Sequence, residues 1–224
     1  YDRVQFVEAT TILGNFVGKG VNELMAGALE VGGNFALDVK RESHPLNVTV
    51  TSDLTVGKNF SLAGGKGIDN IGVIGGTVGN GVKINLGEGG AGTQLVQTRF
   101  SLVGGSYKVQ VGGGAQSLLV LPVTMVVKGS LNVTTTADET VCYCESRIEG
   151  TAIKYVGGPG RDIVNHRFVA PKAKASFKLN GGDDVLVLQA PPQVARLDVD
   201  FGAGADVFDH KGYALPPGKI VGLP

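Results

Sequence analysis

The chain has 224 residues, with 20 basic and 20 acidic side chains, no Trp and 36 Gly. Glycine is therefore about 16% of the chain (36 of 224), against a usual share of roughly 7%, while the hydrophobic fraction is an ordinary 42%. This composition excludes a disordered chain and collagen, and it argues against a mainly helical protein; the lack of any run of 18 apolar residues argues against a transmembrane segment, and zero net charge against nucleic acid as the main partner.

From Arg3 the phrase RVQFVEATTI reads as strand, with Val4 and Phe6 on one side of the alternation. GKGVNEL at Gly18 follows and nearly recurs as GKGIDNI at Gly65, and the frame G-x-G-x-(D/N)-x-apolar returns as GPGRDIV at Gly158, NGGDDVL at Asn180 and GAGADVF at Gly202. Looser copies are KRESHPL at Lys40, GAGTQL at Gly90, GGGAQSL at Gly112 and TADETV at Thr136. The acid-like position of this frame runs Asn22, His44, Asp69, Gln94, Gln116, Glu139, Asp162, Asp184, Asp206, at intervals of 22 to 25 residues. A second frame, V-G-x-(N/S)-apolar-x-apolar, keeps the same period from Val31, Val56, Val78, Val103 and Val127.

Apolar residues at every second position mark short, half-buried strands: Phe35, Leu37, Val39; Leu46, Val48, Val50; Ile71, Val73; Tyr107, Val109, Val111; Leu118, Val120; Val141, Tyr143; Leu186, Leu188. Glycine and Asn at the corners supply positive-φ turns. Repeats of this length cannot bury an apolar face alone, so they must stack. The sequence predicts an all-β, right-handed parallel β-helix (β-solenoid) of about nine turns, 22 to 25 residues each, forming one domain over residues 1–224 with a Pro/Gly-rich tail or cap at 211–224. The competing architecture is an antiparallel β-sandwich, which does not require one phrase to recur at one spacing.

The alternation of V-G-G-N-Φ-x-Φ with G-x-G-x-D-x-Φ, from about Gly14 to Phe208, resembles the degenerate repeats of very large secreted surface proteins of planctomycetes and related bacteria. Its glycine-aspartate half also resembles the RTX nonapeptide, G-G-x-G-x-D-x-Φ-x. The first resemblance implies an exported, extracellular or cell-surface protein with a structural or adhesive role. The second implies dependence on calcium, although the period is 22 to 25 residues rather than a multiple of nine and most turns lack the Asp.

Asp162, Asp184 and Asp206 are expected in a row at about 4.8 Å spacing, either as a Ca²⁺ ladder completed by carbonyls of Gly160, Gly182 and Gly204 or as turn caps, each bonding a backbone N–H two residues on. Calcium is the one cofactor considered. Cys142 and Cys144 read as two small side chains on one strand face, or as a disulfide at the limit of bridging distance; a lone C-x-C is not a zinc site. His166 and His210, four residues after Asp162 and Asp206, lie near Arg161, Arg167, Lys172 and Lys174, the ingredients of a polysaccharide-cleaving face. They fall two turns apart, roughly 10 Å, with no long loop to build a cleft, so they are expected as solvated surface residues and no enzyme is predicted. Tyr107, Tyr143 and Tyr155 offer stacking surfaces to a polysaccharide partner, although Tyr107 and Tyr143 fall on inward positions. Self-assembly is expected through the end turns, by Val4 and Phe6 at one end and Ile220, Val221 and Leu223 at the other, joined head to tail by β-augmentation.

Overall fold

Short apolar stretches separated by glycine corners build strands of two to seven residues through the first five turns. The structure, a computed structural model, describes residues 2–39 and 44–223; Lys40 to Ser43 of the KRESHPL phrase lie outside the described residues. No helix occurs among the described residues. The strand pairings are parallel and join each turn to the next, so the chain is a β-solenoid of about 10 turns and not an antiparallel sandwich. The extra turn is the first: Asp2–Phe6, Thr10–Ile12 and Phe16–Lys19 precede Asn22, where the recurring frame begins, and pair with the second turn.

Each early turn has three sides. A front sheet stacks Asp2–Phe6, Val21–Ala26, Asn47–Val50, Asn70–Ile74 and Thr93–Arg99; a narrow side stacks Thr10–Ile12, Leu29–Val31, Leu54–Val56, Thr77–Val78 and Leu102–Val103; a back sheet stacks Phe16–Lys19, Phe35–Asp38, Phe60–Ala63, Val82–Leu86 and Tyr107–Val111. Further along, the corners straighten: Gln116–Val127 and Glu139–Ile148 run from the front onto the narrow side, and Arg161–Lys178 takes in all three sides.

The interior is one cluster of stacked files. Phe16, Phe35 and Phe60 form a ring stack with centroids 5.1 and 5.0 Å apart, which Phe100 meets edge to face at 5.6 Å. At the corner entering the back sheet Asn15, Asn34 and Asn59 make a ladder, each side-chain oxygen accepting the backbone N–H one turn on, at 2.7, 3.3 and finally 3.2 Å to Gly81. That ladder explains why the second frame demands Asn or Ser. Glycine in the same frame answers to close stacking rather than to positive φ: a Cβ on Gly57 would lie 2.3 Å from the carbonyl oxygen of Gly32, and one on Gly104 2.0 Å from that of Gly79. Among the described residues nine glycines have positive φ.

Candidate functional site

The register places Asn22, Leu46, Asp69, Gln94, Ser117, Thr140, Asp162, Asp184 and Asp206 in one file at the corner entering the front sheet. The three carboxylates thus stack as expected, but three other assignments are corrected. His44 is exposed, and Leu46 takes its place. Gln116 and Glu139 form a neighbouring outer file, where Gln116 donates to Glu139 at 2.9 Å, while the inward places belong to Ser117 and Thr140. The two hydroxyls bond each other at 3.0 Å, which long Gln and Glu side chains could not do in the same space.

This file faces inward and is buried. At the corner the N–H of the file residue points toward the following turn, and the carboxylate there receives it. Asp69 accepts from Leu46 at 2.7 Å, Asp184 from Asp162 at 2.8 Å and Asp206 from Asp184 at 2.9 Å. The caps therefore reach across turns, in place of the expected bond two residues along the same one. Asp162 also accepts the Tyr155 hydroxyl at 3.1 Å and the Gly158 N–H at 3.1 Å. The second oxygens of Asp69, Asp184 and Asp206 are buried without a hydrogen-bond partner. Burial disfavours the charged form and pushes Asp69 and Asp162 up to about 6 and Asp184 up to about 7.

Such groups do not suit calcium, which takes six to eight oxygens from ionised carboxylates, carbonyls and water. Here one oxygen of each Asp is committed to a backbone donor and the group is shut away from solvent. Among the described residues, no three His, Cys, Asp or Glu side chains converge where a metal ion would fit. What the file can do chemically is hold protons and terminate backbone donors.

Cys142 and Cys144 both point into the core, unbridged, with Sγ atoms 2.6 Å apart. The hydrogen bond shared with Cys144, followed by burial, pushes the Cys142 thiol well up. His166 stacks in register on Cys144 and meets Phe177 edge to face at 5.7 Å. It is buried, and burial pushes it down to about 3, so the expected solvated surface histidine is instead an interior, neutral one. His210 lies two turns on in the same file, as expected, and its Nδ1 sits 3.1 Å from the Tyr213 carbonyl oxygen.

The tyrosines also move. Tyr107 is inward as expected and bonds Thr98 at 2.6 Å, but Tyr155 is buried and Tyr143 is 48% exposed. For Tyr143 the reason is a one-residue shift over two apolar runs, Leu118 to Leu121 and Val141 to Cys144, while Tyr155 is inward by plain alternation with Ile153. In the two runs alternation cannot choose a face, and Leu119, Leu121, Cys142 and Cys144 take the inside.

At the ends, the first turn's strands pair only with the second among the described residues. Val4, Phe6, Ile12 and Phe16 lie partly buried on the core, and Val7, Leu13 and Val17 are 82%, 92% and 61% exposed. At the other end Phe208, Tyr213 and Leu215 fold onto the core, and Gly218–Val221 adds a last strand along Leu197 to Asp200. Ile220 of that strand packs inward, while Leu223 is 43% exposed. No helix among the described residues is long and apolar enough to cross a membrane. No family model, curated protein or solved structure matches the chain.

Proposed function

We propose that this chain is a structural or adhesive rod, a subunit of an extracellular layer or filament that joins further β-structure through its end turns. The observation that carries the reading is the first turn: three strands with one edge open, over a ring stack that ends on Phe6 and Phe16, 5.8 Å apart. An edge of free N–H and C=O groups beside apolar side chains is a template for another strand. The edge of Gly218–Val221, carrying Ile220 and Val221, supplies a parallel partner from a second copy. Rigidity follows from stacking, since each turn is held by its neighbours.

Light scattering with electron microscopy tests this. The expected result is a mass that grows past two copies with concentration and rods lengthening end to end, abolished by Gln5→Pro, which removes a donor from the first strand. A chain that stays monomeric or stops at two copies, with no fibres, refutes it.

A second reading has its own observation. On the outside of the back sheet Lys83 and Lys108 sit on successive turns, with Asn132 and then the exposed Lys154 following in the same file. Adjacent ammonium groups repel at this spacing, and an acidic polysaccharide laid along the rod would relieve them. Co-sedimentation with polygalacturonate, lost on Lys108→Glu and at high salt, is the expected outcome; no binding at low salt ends this reading.

A further inference from the structure

The outward file of the front sheet changes character at the fifth turn. Glu23, Asn47 and Asn70 hold it first; Leu95, Leu118, Val141, Ile163, Val185 and Val207 follow on successive turns. The adjacent outward file adds Val120, Tyr143 and Val187, with Gln97 before them and Asn165 between Tyr143 and Val187. The six residues make a stripe about 24 Å long, at about 4.8 Å per turn. Strands apolar on both faces are the mark of a parallel sheet covered on both sides, and a contiguous apolar patch on an outer surface marks a contact site.

The charges beside the stripe say what covers it. Glu139 and Arg161 flank it on one side and Glu145 and Arg167 on the other, each Glu in register with the Arg one turn on. They stand at its midpoint, with Leu95, Leu118 and Val141 before and Ile163, Val185 and Val207 after. Two copies meeting face to face have a two-fold axis in the plane between them, running along the rod or across it. An axis along the rod exchanges the flanking files within one turn, so Glu139 meets Glu145 and Arg161 meets Arg167. An axis across the rod, between the turns of Val141 and Ile163, reverses the order of turns and keeps each file opposite itself. Glu139 then meets Arg161 and Glu145 meets Arg167, while Val141 covers Ile163, Leu118 covers Val185 and Leu95 covers Val207. Like charges oppose the first arrangement and opposite charges favour the second.

We infer that the apolar stripe is a lateral dimer interface, on which a second copy of this chain packs antiparallel about that crosswise axis. The face measures about 20 Å by 24 Å, about 500 Å² from each copy, so the total of about 1,000 Å² is at the low end for a specific interface and the dimer dissociates on dilution. The inference does not depend on end-to-end joining: a lateral pair closes at two copies, whereas joined ends keep adding mass.

Sedimentation velocity over a dilution series tests it, with circular dichroism as the check on folding. With end joining blocked by Gln5→Pro, the expected result is a monomer–dimer equilibrium that Ile163→Asp shifts to monomer at every concentration. Glu145→Arg should weaken the dimer at least about tenfold, one like-charge contact arising on each side of the axis. Combining it with Arg167→Glu should restore the dimer, because the exchanged charges again face their opposites. If Ile163→Asp does not fold, this exchange between the half-buried Glu145 and the exposed Arg167 decides alone. A Gln5→Pro chain that is monomeric throughout, a dimer indifferent to these changes, or a double exchange that fails to recover it overturns the inference.

Discussion

The first four turns and the last six share one coil and spend their side chains differently. Early turns are held inside by the Phe16–Phe35–Phe60 stack and at one corner by the Asn15–Asn34–Asn59 ladder, and they show Glu23, Asn47 and Asn70 to solvent on the front. Later turns carry the Asp162–Asp184–Asp206 corner inside and an apolar stripe outside. The shared requirement is one of backbone geometry, a turn of fixed length whose N–H groups find acceptors. The asparagine corner meets it with neutral groups, and the aspartate corner meets it with groups that titrate.

The largest effect expected is on the early corner. Gly57→Ala would drive a Cβ into the Gly32 carbonyl, a backbone atom that cannot step aside, whereas Gly27→Ala meets nothing within 4 Å. Thermal melts followed by circular dichroism should show the first losing more than about 4 kcal/mol or failing to fold, with the second within about 0.5 kcal/mol of wild type. Equal effects at the two sites would mean that the glycine file serves turn conformation and not stacking.

A smaller effect distinguishes the later turns. Asp69, Asp162 and Asp184 are raised in the folded chain from an unfolded value near 3.8 to about 6, 6 and 7. Between those values the folded state binds more protons than the unfolded one, so stability from these groups is fully present below about pH 4 and is lost as pH rises through 6 to 7. The melting temperature should fall by about 5 to 10 °C between pH 5 and pH 8. Asp184→Asn, which keeps an acceptor for the Asp162 N–H and carries no charge, should shrink that fall. Two of the three raised groups lie in the later turns, so hydrogen exchange at pH 8 should rise more around Asp162 and Asp184 than around the Phe stack.

Much of this was legible in the chain. Wherever apolar residues alternate with polar ones, as at Phe35, Leu37 and Val39 or Leu46, Val48 and Val50, the inward file follows directly. The row of Asp162, Asp184 and Asp206 was also readable, because a spacing of 22 residues repeats without error there. At Gln116 and Glu139 the polar residue nearest the expected spacing was the outer one, and inward Ser117 and Thr140 carried no signal as mild as theirs. His166 read as a surface residue because its chemistry is polar, although its file, with Cys144 before it and Leu188 after, is interior.

By itself, the sequence determined the period, the parallel stacking of turns and the corners that need glycine, asparagine or aspartate, since each is a local demand repeated down the chain. Only the tertiary structure decided which way the continuous runs Leu118 to Leu121 and Val141 to Cys144 face. A strand apolar on both sides has no local preference between them, and the choice falls to the neighbouring turns, whose register holds Leu119 and Cys142 in the core and leaves Leu118 and Val141 outside.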